Sequence, residues 1–145
     1  MTADDVIALL NLDPHPEGGW YRQTWIGEGT DRATGTCIYF LLKAGETSHW
    51  HRVDATEIWH HYAGAPLVLR LSETEDGPAT EQALGPDLAS GARPQLIVPE
   101  HFWQSAEVRA DDPKNMGWAL VGCTVSPGFQ FDGFELAPPG FDIPI

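Results

Sequence analysis

Positive charge is what this sequence has least of. Eight Lys and Arg stand against 21 Asp and Glu, a formal net charge of −13 with histidine neutral. Such a surface repels phosphate backbones and anionic headgroups, so the composition argues against nucleic-acid and membrane partners. Cysteine is nearly absent: Cys37 and Cys123 are the only two, both in apolar, strand-like segments. They read as buried, reduced thiols and not as a disulfide framework. Long apolar runs are missing as well, and none approaches the ~20 residues of a membrane-spanning helix. The first residues, MTADDVIALLNLDP, carry Asp4 and Asp5 where a secretory leader carries lysine or arginine. Together these absences point to the cytoplasm.

Helical periodicity is equally scarce. One segment shows it, TADDVIALLNL. Thr2 can cap, Asp4 and Asp5 suit the positive end of a helix, and Val6, Leu9 and Leu10 share a face. The spacing predicts a helix over about 3–11, stopped by Pro14 and Pro16.

Turn residues, by contrast, are abundant: 15 Gly and 12 Pro punctuate the whole chain. Between them lie short β-rich stretches: GWYRQTW (19–25), TCIYFLL (36–42), SHWHR (48–52), EIWHHYA (57–63) and LVLRLS (67–72). The pattern resumes with QLIVP (95–99), FWQSAEV (102–108), GWALVGCTV (117–125) and GFELA (133–137). The polar stretch 73–94 reads as a loop holding one short strand around Gln82 to Leu84. About ten short strands and one small helix predict an all-β sandwich or barrel. No linker divides the chain, so 1–145 reads as a single domain, with a barrel over about 17–140.

Histidine is concentrated. GETSHWHRVDATEIWHHYAG, residues 45–64, holds four of the six imidazoles and Glu57. His49 and His51 are two apart, and on a strand such residues project from one face about 7 Å apart. Glu57 opens the next strand, and a hairpin would turn it toward the same interior. Two imidazoles and a carboxylate with open positions suit a divalent ion such as Fe, Mn, Ni or Zn. An HxH pair on a solvated surface is the competing reading of the same residues.

The order Gly45, His49, His51, Glu57, Gly64 resembles the first motif of the cupin superfamily. Six residues separate Glu57 from Gly64, as in that motif, whereas three instead of five separate Gly45 from His49. Five residues, where the motif has three or four, separate His51 from Glu57. The second motif is matched by VPEHFWQS, with His101 at a glycine position and Gln104 where a fourth ligand histidine is expected. HPEGGWYRQTW, IYFLL, LGPDL, PQLIVPEHFWQSA and GWALVGCTVSPGFQFDGFELA are similar to the fifth cupin family, a branch with no general activity attached to it. The resemblance implies a double-stranded β-helix, or jelly-roll barrel, and a homodimer. It implies His49, His51, Glu57 and Gln104 as the metal ligands, with Gln104 the weakest of the four.

Alternation from an inward Glu57 places Trp59 and His61 inside the barrel and Ile58, His60 and Tyr62 outside. Trp59 and Gln104 are candidate substrate-binding residues, and Arg22 is either a substrate anchor or an ion-pair partner. His61, or alternatively His49 or His51, as base with Tyr39 or Tyr62 as acid is the candidate catalytic set. His101 reads as a turn residue tolerant of left-handed backbone. The glycines of HPEGG read as a turn. Three functions compete: a metal-assisted cupin acting on a sugar-like compound or a hydroxy or oxo acid, a metal-free epimerase-like acid–base enzyme, and a non-catalytic metabolite-binding protein.

Overall fold

The computed structural model describes residues 1–109, 114 and 116–145. Helix α1 (Ala3–Leu10) begins with a reciprocal cap. Asp5 N–H donates to Thr2 Oγ1 at 3.2 Å, and Thr2 N–H donates to the Asp5 carboxylate at 2.8 Å. Asn11 ends the helix in the left-handed region, φ 57°.

Strands then follow almost where alternation predicts them. They are β1 (Asp13–Pro14), β2 (Trp20–Ile26), β3 (Thr36–Lys43), β4 (Thr47–Val53), β5 (Thr56–Gly64), β6 (Leu67–Ser72), β7 (Thr80–Leu84), β8 (Gln95–Val98), β9 (Trp103–Val108), β10 (Trp118–Ser126) and β11 (Phe134–Leu136). The two-residue β1 is too short to show a period. The polar stretch holds β7 and a short 3₁₀ turn, Leu88–Ser90.

Two antiparallel sheets result, one ordered β1-β2-β3-β10-β5-β8 and the other β11-β4-β9-β6-β7. Their facing sides bury Phe40, Leu42, Trp59, Leu69, Ala106 and Val121 in the main core. Leu41 has the opposite parity to Phe40 and Leu42. It therefore lies on the outer face of the six-stranded sheet, where Val6 of α1 packs against it and Trp118. On the outer face of the five-stranded sheet, Ala137, Phe141 and Ile143 of the C-terminal segment cover Trp50 and Trp103. Among the described residues no helix is long and apolar enough to cross a membrane.

Three irregularities interrupt the ladders. Between Ser48 and His51, three residue steps of β4 oppose two of β9. Register also shifts between Gln23 and Trp25 against β3, and between Leu120 and Val121 against β5. Each one changes which side chains face inward.

Candidate functional site

The HPEGG segment curls into a tight turn. His15 N–H donates to the Gly19 carbonyl at 2.9 Å, and Gly18 N–H donates to the His15 carbonyl at 3.0 Å. Gly18 sits at φ 106°, and a Cβ there would collide with the Thr47 carbonyl oxygen. That close approach lets His49 N–H donate to the Glu17 carbonyl at 2.8 Å. It also lets the Ser48 hydroxyl donate to the Glu17 carboxyl group. A turn from outside the histidine-rich block thus delivers a carboxyl group and an imidazole to the barrel interior.

They line a cavity of about 210 Å³. Its ionisable walls are His15, Glu17, His51, Glu57 and Cys123. Most of the remaining wall is apolar or aromatic, with Tyr21, Ile38, Val125, Phe129 and Phe131. Glu17 Oε1 lies 3.3 Å from His15 Nδ1 and 3.6 Å from His51 Nε2. His15 Nδ1 accepts from Glu17 N–H at 3.1 Å, and His51 Nδ1 lies 2.7 Å from the His49 carbonyl, to which its N–H donates. In the neutral ring, His51 Nε2 is therefore the basic atom, and it faces Glu17.

Burial governs the proton affinities. It pushes Glu17 up to about 8 against the opposing hydrogen bond from Ser48. It lifts Glu57 to about 7, with His51 lowering and Glu17 raising it further. Burial depresses His15 to about 4 and lowers His51. The Cys123 thiol, held to Glu57 by a hydrogen bond, is pushed well above its ordinary value, again chiefly by burial. Neutral carboxyl groups beside neutral imidazoles are the form that desolvation favours.

Of the residues singled out by the sequence, the structure brings His51, Glu57 and Gln104 together. Gln104 lies behind the cavity wall: its Nε2 donates to Glu57 Oε1 at 2.9 Å, and its Oε1 accepts from the Trp59 indole N–H at 2.9 Å. With its oxygen already used, the amide turns its nitrogen toward Glu57. Trp59 is core and supports the site from behind.

His49 does not join them. The β4 bulge keeps Ser48 and His51 on the inner face and sends His49 outward, where its Nε2 lies 3.0 Å from the Pro138 carbonyl. The convergence expected of the HxH pair therefore fails. Alternation does carry His61 to the inner side, opposite Val121, but its Nε2 lies 2.9 Å from the Ala65 carbonyl, away from the cavity. Tyr39 and Tyr62 meet edge to face at 6.3 Å, with Tyr62 over Gly122 on the outer face of the six-stranded sheet. Arg22 is exposed on that same face, 3.5 Å from the Leu10 carbonyl. Neither tyrosine nor Arg22 lines the cavity.

His101 takes φ 68° as a turn residue, and His60 lies outside, its Nε2 3.1 Å from Thr124 Oγ1. Both cysteines are free, Cys37 half-buried and Cys123 buried. His15 and Glu17 are the site residues the sequence reading passed over. Their one signal was a histidine and an acid beside two glycines.

The donor types here suit a divalent ion, but their placement does not. No three of the described His, Cys, Asp and Glu side chains are disposed to hold one. His15 Nδ1 is engaged by Glu17 N–H, and Gln104 Oε1 by Trp59.

Two antiparallel sheets closed around an interior acid–base cavity place the chain among the cupins. A cupin-2 domain from Rhodospirillum rubrum shares the fold, with TM-score 0.59 at 15% identity over 90% of this chain and 78% of that one. Protein SO0799 from Shewanella oneidensis is 43% identical, with TM-score 0.85 over 94% of this chain and 85% of its own. A hypothetical protein from Leishmania major is 31% identical, with TM-score 0.87 over 97% and 90%. No curated protein matches the sequence. Residues 4–137 match the family described as Cupin superfamily (DUF985), and the chain belongs to that family.

Proposed function

We propose that the cavity binds a small oxygen-bearing metabolite and moves a proton on it, with Glu57 and the His51–Glu17 pair as the groups that exchange it. One observation carries the reading: two carboxyl groups and two imidazoles are buried around one cavity with otherwise largely apolar walls, Glu17 facing both rings. Its volume of about 210 Å³ is below the ~300–1,000 Å³ of pockets for drug-sized ligands, which suits a molecule of a few carbons. Glu57, at about 7, is matched to proton transfer near neutral pH. As carboxylate it would take the proton from a carbon beside a carbonyl, while the Glu17 carboxyl hydrogen-bonds the oxygen that gains charge. Return of that proton to the face it left restores the substrate. Delivery of a proton from the His51–Glu17 pair to the opposite face, with Glu57 keeping the first, gives the epimer. Exchange with water then resets both groups, and no oxidant or reductant is needed.

The test is proton exchange in deuterated buffer against a panel of small carbonyl and polyhydroxy compounds, followed by NMR. Wild-type protein is expected to wash deuterium into one carbon-bound position of a binding compound. Glu57→Gln is expected to lose at least about 100-fold in that rate, the usual worth of a positioned acid–base group, while still binding. Binding without exchange across the panel would leave a metabolite-binding protein instead.

A divalent ion is the second reading, favoured by the two imidazoles that face one oxygen of Glu17. Fe, Mn, Ni or Zn would require Glu17 to lose its proton and the two rings to turn. Elemental analysis of protein purified without added ions separates the readings. One equivalent of a single ion supports the second, and traces in every preparation remove it.

A further inference from the structure

The charges around the cavity restrict what can enter it. We infer, resting on the small-molecule reading above, that the ligand carries no anionic group: it is an uncharged polyhydroxy or carbonyl compound, and not a hydroxy acid, an oxo acid or a phosphorylated sugar.

The argument begins with the inventory of cations. None of the eight Lys and Arg lines the cavity. Those nearest in sequence to its walls are committed elsewhere. Arg32 makes a two-pronged pair with Asp54 at 2.7 and 3.0 Å and donates to the Gly128 carbonyl, and Arg52 pairs with Glu135 at 3.1 Å. Arg22 faces outward. Among the described residues, the only groups in the wall able to become cationic are His15 and His51, and each faces the same carboxyl group, Glu17. A ring that takes the Glu17 proton is therefore matched by the carboxylate it leaves behind.

An incoming carboxylate or phosphate would meet two buried carboxyl groups and no unmatched positive charge. Moving it out of water would be strongly unfavourable, because the wall offers it neutral donors but no unmatched positive charge. A hydroxyl or carbonyl group loses far less on entry, and Glu17, Glu57, His15 and His51 supply donors and acceptors for it. The field of a protein of net charge −13 acts in the same sense at the entrance.

The experiment compares three probes of one carbon skeleton: glycerol, glycerate and glycerol 1-phosphate. The His51 imidazole and Trp59 indole resonances of the full-length protein are followed by NMR as each probe is added at constant ionic strength. Glycerol is expected to shift them saturably, with half-saturation at least about tenfold lower than that of either anion, as one unmatched buried charge dictates. Glycerate or glycerol 1-phosphate half-saturating at or below the glycerol concentration would overturn the inference and leave the pocket itself standing. Silence of all three probes would overturn it together with the small-molecule reading.

Discussion

Glu17 and Glu57 hold their protons to unusually high pH because burial denies their anions water, and stability must follow. From the ordinary value of 4.5 up to about 8, the unfolded chain has released the Glu17 proton while the native chain retains it. Raising pH therefore favours unfolding over that range. His15, lowered from 6.5 to about 4, acts oppositely, but only between those values. Above pH 6.5 the carboxyl groups act unopposed, so the melting temperature is expected to fall as pH rises toward 8. The fall should flatten in Glu17→Gln. Melts at stepped pH check this, and a flat or rising wild-type curve would contradict it. Gln104 gives a second prediction. Gln104→Leu leaves the Trp59 indole N–H and a Glu57 oxygen without their Gln104 partners, for a loss of roughly 2–6 kcal/mol at about 1–3 per orphaned group. Denaturant unfolding measures it, and a loss below about 1 kcal/mol would show that the network contributes little.

At the scale of elements, strands were legible because alternation and turn residues act locally. SHWHR and EIWHHYA read as strands and are β4 and β5. What β4 does with its histidines was not legible. An HxH pair shares a face only while the ladder is regular, and the extra residue between Ser48 and His51 exists only in pairing with β9. Trp59 and Gln104 were read as substrate contacts because inward parity was all the sequence could state. Parity does not distinguish a cavity wall from the layer behind it. The HPEGG turn is the element whose role the structure enlarged. Gly18→Ala forces a Cβ against the Thr47 carbonyl at positive φ, at a cost of about 1–3 kcal/mol, and it should push Glu17 out of place. The expected signature is double: lower stability, and a flatter melting-temperature decline toward pH 8, as in Glu17→Gln. A destabilised variant with that decline intact would mean the turn does not position Glu17.

For the whole molecule, a net charge of −13 makes two copies repel wherever acids face acids. The outer face of the six-stranded sheet escapes this. Tyr62 (51% exposed) and Ile97 (61%) stand out from it beside Ile58, Tyr39 and His60, and α1 covers only its Leu41 end. We propose that two copies pair through this apolar, acid-poor face. Light scattering after size exclusion is expected to give twice the chain mass, and Tyr62→Glu with Ile97→Glu the single mass; a wild-type monomer, or a dimer surviving both changes, would refute it. Composition and periodicity by themselves determined the β architecture, the helix at its start and a chain of strongly acidic surface, because these follow from neighbours along the chain. Which imidazoles share the cavity was decided only in three dimensions. A bulge set by pairing with a distant strand turned His49 away, and a glycine turn docked on the Thr47 backbone put His15 and Glu17 in reach of His51.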